Sequence, residues 1–206
     1  MTFPETPYSG VNDFFAAYTS QYSRAAQSVD RAELQKAADI LRDCYQNSGT
    51  AFSCGNGGSA AIANHLVCDH LKGCRTDTDI VPRVQSLSSN IETITAVAND
   101  IGYEDVFRYQ LSSLARPGDV LITISSSGDS ENVVKAVDWA RDNSVKTIAM
   151  TGFDGGRTAE KADVNLHVTA DNYGVIEDLH QSLMHVLAQY IRMQKMDADL
   201  ISNRKF

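Results

Sequence analysis

The chain has 206 residues, 43% hydrophobic and 21% charged, the make-up of a folded globular protein with enough length to bury a substantial core. A formal net charge of −8, with no cluster of lysine and arginine, argues against nucleic acid as a partner, because phosphate backbones are met by a basic face. No apolar run approaches the roughly 20 residues that cross a bilayer, and "MTFPETPYSGVNDFF" is no secretory signal, so the expectation is a cytoplasmic protein with no membrane partner.

From the N-terminus, "VNDFFAAYTSQYSRAAQSV" and "RAELQKAADILRDCYQNSG" predict two amphipathic helices within residues 1–48. In the second, Leu34, Ala37, Ala38, Leu41 and Tyr45 repeat at helical spacing, with Asp30 as N-cap and Gly49 as stop. From residue 50 short apolar runs ("TAFSC", "VPRVQSL", "DVLITI", "KTIAMTG", "VNLHV") alternate with helical segments ("AAIANHLVCDHLKG", "IETITAVAND", "SENVVKAVDWARDN", "RTAEKA"). A long helix over "VIEDLHQSLMHVLAQYIRMQKM" follows. Strands alternating with helices predict a parallel sheet covered on both faces, whose ligands bind at the carboxyl ends of the strands. Cys44, Cys54, Cys68 and Cys74 lack the paired spacing of a zinc ribbon or a CxxC motif and are expected to be free thiols.

Two strand-to-helix loops draw attention. Gly55-Asn56-Gly57-Gly58-Ser59 follows the first strand; glycines there allow a tight turn and a close approach of backbone to ligand, and a tight turn alone would also account for them. The loop fits neither GxGxxG nor the lysine-bearing Walker A pattern, so a dinucleotide or nucleoside triphosphate is poorly supported. Ser125-Ser126-Ser127-Gly128-Asp129-Ser130 follows "DVLITI". A helix cap needs one of these residues, whereas four hydroxyls beside the unpaired N–H groups of a helix start suit a phosphate. Since the net charge repels an anion, local donors must capture it.

These residues carry a resemblance. "SCGNGGS", "VANDIGYEDVF", "GDVLITISSSGDSENVVKA" and "TGFDGG" together are similar to the phosphoheptose isomerases of the sugar isomerase (SIS) domain class, over about residues 12–195. The resemblance implies a three-layer αβα sandwich with a five-stranded parallel sheet. It also implies one SIS domain over residues 1–206, whose N-terminal helical extension packs on the domain and at a subunit interface of a homotetramer. The implied reaction converts sedoheptulose 7-phosphate to D-glycero-D-manno-heptose 7-phosphate through an enediol.

Such a reaction needs a base, a group that manages oxygen protons, and something to polarise the carbonyl, for which a metal ion can serve. His65 and Asp69 share a helix face at i,i+4, and Glu177 and His185 lie about 80° apart around one helix, so both pairs can line one pocket. Two histidines and two carboxylates make a sensible zinc set, although a His–Asp pair at this spacing is commonly surface decoration. The resemblance implies one zinc or other divalent cation per subunit on His65, Asp69, Glu177 and His185, with Asp69 as base and His185 as general acid. It assigns sugar-phosphate contacts to Asn56, Gly57, Gly58, Ser59, Asn99, Asp100, Ser125, Ser126, Ser127, Ser130 and Glu177.

Two departures matter. Asp69 stands where the family has Glu, so either the backbone shifts or the base role changes, since a displacement of about 1 Å can cost on the order of a hundredfold in rate. Glu177 stands where the family has Gln, which adds negative charge. His70 and His180 are expected at the surface or an interface, Asp129 as a helix cap, and Trp139 in the core or an interface. The alternatives are a non-catalytic SIS module, binding a phosphosugar or acting as a replication-initiator-associating adaptor, and an isomerase of another ketose phosphate such as a hexulose phosphate.

Overall fold

The structure, a computed structural model, describes residues 2–206. Helix α1 (Val11–Ser28) leads into α2 (Arg31–Gln46), where the Asp30 carboxylate accepts from Ala32 N at 2.7 Å and Glu33 N at 3.2 Å. The stripe Ala37, Ala38, Leu41 and Tyr45 is buried, as its spacing predicted. The helix stops three residues before Gly49, with Ser48 taking the left-handed conformation.

The strands are β1 (Thr50–Gly55), β2 (Arg83–Ser86), β3 (Val120–Ser125), β4 (Lys146–Thr151) and β5 (Val164–His167). They form one parallel sheet in the order β2-β1-β3-β4-β5. Every residue of central β3 is buried, which is why it reads as a continuous apolar run. Alternate residues divide the core: Val120, Ile122 and Ile124 face a cluster with Ile62, Leu66, Leu179 and Leu183, while Leu121 faces Val106, Phe107, Leu111 and Val133. One layer therefore holds α1, α2, α3 (Gly58–Cys68) and α8 (Tyr173–Lys195). The other holds α4 (Ile91–Asp100), α5 (Val106–Leu114) and α6 (Glu131–Asp142), giving the expected αβα sandwich. Short helices α7 (Gly156–Lys161) and α9 (Ala198–Ile201) complete the chain. Trp139 packs half-buried against the second cluster. All four cysteines are free, and only Cys68 is exposed.

His70 and His180 correct an expectation: both are fully buried rather than at the surface. His180 Nε2 bonds to Thr151 O at 3.1 Å, and His70 Nδ1 to the Tyr45 hydroxyl at 2.6 Å. The remaining ring nitrogens, His70 Nε2 and His180 Nδ1, have no hydrogen-bond partner among the described residues. Burial pushes both imidazoles down to about 4 from the ordinary 6.5, so the fold holds them neutral. Above pH 6.5 the folded and unfolded chains agree in protonation. As the pH falls toward 4 the unfolded chain takes up two protons that the folded chain refuses, and stability declines by up to about 1.4 kcal/mol per pH unit for each histidine. Urea unfolding followed from pH 7 down to pH 4.5 is expected to show this loss. The double variant Tyr45→Phe/His70→Leu, which removes one imidazole with its partner, should flatten the slope by about half.

Candidate active site

In the order β2-β1-β3-β4-β5 the chain leaves β1 toward one edge and returns through β3 toward the other, so the loops after β1 and β3 open side by side. An amide pair fastens them. Asn56 Nδ2 donates to Asn132 Oδ1 at 3.0 Å, Asn132 Nδ2 donates to Asn56 Oδ1 at 2.9 Å, and the Tyr103 hydroxyl donates to Asn56 Oδ1 at 2.8 Å. Asn132, in the first turn of α6, is buried.

The serine loop is held from behind. Gly128, at φ +62°, is wedged against the Gly155 carbonyl where a Cβ could not fit, and Thr158 N donates to Gly128 O at 2.9 Å. Asp129 is not a helix cap; its carboxylate and that of Glu131 are gripped by Arg157, which holds the Asp129 carboxyl below the usual carboxylate range. Ser125 Oγ accepts from Gly128 N and Ser127 Oγ from Asp129 N, whereas Ser130 makes no side-chain capping bond. The Ser126 hydroxyl is buried and has no partner among the described residues. Ser126 also lines a cavity of about 160 Å³, with Asn56, Ser59, Ser125, Ser127 and Ser130, and with Tyr173 and Glu177 contributed by α8.

Helix α8 begins at Asn172, whose side chain accepts from Val175 N, and carries Tyr173, Glu177, Gln181 and His185 four residues apart along one side. The Glu177 carboxylate lies against the amino end of α3: a Cβ on Gly58 would meet Glu177 Oε2 at 2.6 Å, so a side chain there would push the carboxylate aside. Two turns further along, His185 Nε2 stands 3.4 Å from Asp69 Oδ2, and His65 Nε2 stands 3.3 Å from Asp69 Oδ1. The two imidazole rings meet edge to face at 5.1 Å. Gln181 Nε2 lies 3.0 Å from both His65 Nδ1 and His185 Nε2.

Asp69 reaches this group although its arm is short, and the backbone beyond it runs as a π-helical turn to Cys74. His65, Asp69 and His185 place donor atoms within 4.8 Å of one another, and two imidazole nitrogens with a carboxylate oxygen suit a divalent cation such as zinc. Glu177, the fourth expected ligand, is not in this group. Nor do Asn99 and Asp100 line the cavity: they sit exposed at the end of α4, bonded to each other at 2.8 Å, and their segment reaches Asn56 through Tyr103. Gly57 turns the chain into α3 at φ +54°.

With this geometry in place, comparison with known proteins is decisive. The SIS domain family matches residues 13–152. Phosphoheptose isomerases from Aliarcobacter butzleri and Colwellia psychrerythraea are each 36% identical, over 86% and 87% of this chain and 93% and 92% of theirs. The chain belongs to the phosphoheptose isomerase family. Solved structures agree: the enzyme from Neisseria gonorrhoeae superposes with a TM-score of 0.80 at 33% identity, covering 88% of this chain and 98% of its own. That from Francisella tularensis gives 0.82 at 32%, covering 90% and 97%.

Three residues of this phosphoheptose isomerase site escaped the sequence: Asn132, Tyr173 and Gln181. The spacing 173, 177, 181, 185 could have flagged two of them, as one stripe of a helix. Asn132 gave no local signal, because its partner lies 76 residues away. Asn132→Ala is expected to lower stability by about 1–3 kcal/mol in urea unfolding, since Asn56 loses both a donor and an acceptor. In the Asn132→Ala background, Asn56→Ala should cost little more, a non-additivity that a double-mutant cycle measures.

Proposed function

We propose that this chain is an aldose–ketose isomerase that converts sedoheptulose 7-phosphate to D-glycero-D-manno-heptose 7-phosphate. The observation that carries the reading is the cavity itself, lined by Ser125, Ser126, Ser127, Ser130, Ser59 and Asn56 at the mouths of two strand-to-helix loops. The acid–base group lies on the same side of α8. Glu177, at the cavity, and His185 are eight residues apart, about 12 Å along the axis at 1.5 Å per residue. A phosphate held by Ser125, Ser126, Ser127 and Ser130 thus needs several carbons between it and the reacting carbons, as in a ketose phosphorylated at the far end.

In the assigned roles, Asp69 takes a proton from C1 of the ketose and the electron pair forms the C1–C2 double bond of an enediol. His185 protonates O2 as this happens. The proton then returns at C2 while O1 loses its own, which leaves the aldehyde at C1. Asn56, the backbone at Gly57 and Gly58, Ser59, and the Asn99–Asp100 pair meet the sugar hydroxyls, together with Glu177. His65, Asp69 and His185 would hold zinc or another divalent cation, which when bound supplies Lewis-acid polarisation of the carbonyl. The whole chain acts as one SIS unit in a cytoplasmic homotetramer, with no nucleic-acid or membrane partner. A net charge of −8 and the absence, among the described residues, of any helix long and apolar enough to span a membrane support this. So do the exposed apolar side chains of Val11 and Phe15 on α1 and Val186 on α8, which offer faces to other copies.

The test is incubation with sedoheptulose 7-phosphate in deuterated water, with and without zinc. Expected are the aldose product and deuterium at C2, both abolished by Asp69→Asn. Ser126→Ala should raise KM, with kcat less affected, because it removes a donor to the phosphate rather than to the reacting carbons. Saturable phosphosugar binding without turnover would overturn the isomerase and leave a binding module.

A further inference from the structure

Beyond His185 the groove continues into a second cavity, of about 420 Å³, with Asp69 and His185 in its lining. Helix α8 runs along it through Ala188 and Arg192, and the π-helical turn and its end through Lys72 and Thr76. Lys205 and Phe206 complete the lining. They lie beyond about residue 195, where the resemblance to phosphoheptose isomerases stops, so the family's residue roles do not extend to them. One buried cation holds this tail. After α9 the chain comes back to α8, where Arg192, only 6% exposed, meets it. Arg192 donates from Nη1 to Lys205 O at 3.0 Å, from Nε to Thr76 O at 3.0 Å and from Nη2 to Asp77 Oδ2 at 3.1 Å. Its guanidinium carbon lies 4.8 Å from the centroid of the Phe206 ring, and Arg204 Nε also donates to Asp77 Oδ2, at 3.2 Å. A buried guanidinium is costly unless its donors are met; the tail meets one of them and lays a ring over the group.

Charge gives the docked tail a use. Lys72 and Lys205 both line the cavity, and neither forms a salt bridge among the described residues, whereas Arg192 and Arg204 share Asp77. In a chain of net charge −8, two uncompensated lysines thus border the place where the reacting carbons would lie. Resting on the reading that Asp69 and His185 perform the acid–base work, we propose that Lys205 is a further residue of the active site. Its ammonium meets the charge that develops on the substrate oxygens at C1 and C2, and Arg192 is the positioning residue that holds it there through the Lys205 carbonyl. As Asp69 takes the C1 proton, the C–H electron pair becomes the C1–C2 double bond and the carbonyl pair moves onto O2, where the proton from His185 arrives. A cation beside O2 stabilises that stage more than the neutral ketose, which is the condition for raising kcat rather than lowering KM.

The experiment measures kcat and KM for sedoheptulose 7-phosphate, and inhibition by inorganic phosphate, in the full chain and in Lys205→Met, Lys205→Arg, Arg192→Met and the double variant Lys205→Met/Arg192→Met. Lys205 is exposed, so its variants keep the fold, which circular dichroism checks. Lys205→Met should lower kcat by at least about tenfold with KM nearly unchanged, and Lys205→Arg should recover most of the loss, which a tail of merely structural role would not require. Arg192→Met should lower kcat as far, and the double variant no further. Inorganic phosphate, bound at the serine loop, should inhibit every variant with the same affinity. Unchanged kcat in Lys205→Met, equal losses in Lys205→Met and Lys205→Arg, or a matching loss of phosphate affinity would overturn the role of Lys205 while the isomerase reading stands. The Lys205 variants decide this even where Arg192→Met does not fold. If the unaltered chain turns over nothing, the isomerase reading falls and takes this role with it.

Discussion

The architecture depends on one constraint, the adjacency of β1 and β3 in a sheet whose strands all run the same way. Because the chain departs from β1 toward one edge and from β3 toward the other, two strand ends meet with no crossover between them, and a groove opens there. The Asn56–Asn132 amide pair converts that opening into a fixed shape by joining the turn after β1 to the helix after β3. The Gly128–Gly155 contact does the same from behind, leaving the serine loop little freedom to collapse inward. What remains uncommitted is a short list, headed by the Ser126 hydroxyl. A buried hydroxyl without a partner is costly unless something else answers it.

Electrostatics explains the kind of donor used. The chain carries a net charge of −8, and the cavity holds the Glu177 carboxylate, yet no lysine or arginine lines it. Hydroxyls, amides and helix-start N–H groups bind an anion without a counter-charge, through directed dipoles that cost no reorganisation. Arg157 is the cation nearest in role, and its work is indirect: it grips Asp129 and Glu131 at the start of α6, where their charge would otherwise compete with an incoming anion.

Much of this was legible in the sequence, and what was hidden follows a rule. Each strand was found to within a few residues, and the doubly covered β1, β3 and β4 read as buried, mainly apolar runs. Asp30 announced its helix by its own chemistry. Helix α5 went unread: it is short, lies behind Gly102, and starts at Asp105 without a side-chain cap. The π-helical turn from Asp69, which buries His70 and Cys74, leaves no mark in a pattern of residue types. Long-range pairs were invisible for the same reason; Gln181 meets His65 across 116 positions. The histidines were misread in an instructive way. His65 and His70, and likewise His180 and His185, are five residues apart, about 140° around a helix. If one of each pair faces the groove, the other faces the sheet, so the core was the physically consistent place for His70 and His180.

The long helix α8 ties these parts together as a spacer. Its hydrogen bonds fix the rise at about 1.5 Å per residue, so the separation between the hydroxyl-lined cavity at Glu177 and the imidazole–carboxylate group at His185 is a property of backbone geometry, not of side-chain adjustment. Its other side is anchored by Val175, Ile176, Leu179, Leu183 and Leu187, all buried against the sheet layer, and by His180 bonded to the end of β4. A helix held this way cannot slide to suit a shorter ligand. Any molecule gripped at both ends must match the spacing, which makes ligand length, rather than the identity of individual hydroxyls, the first quantity this groove discriminates.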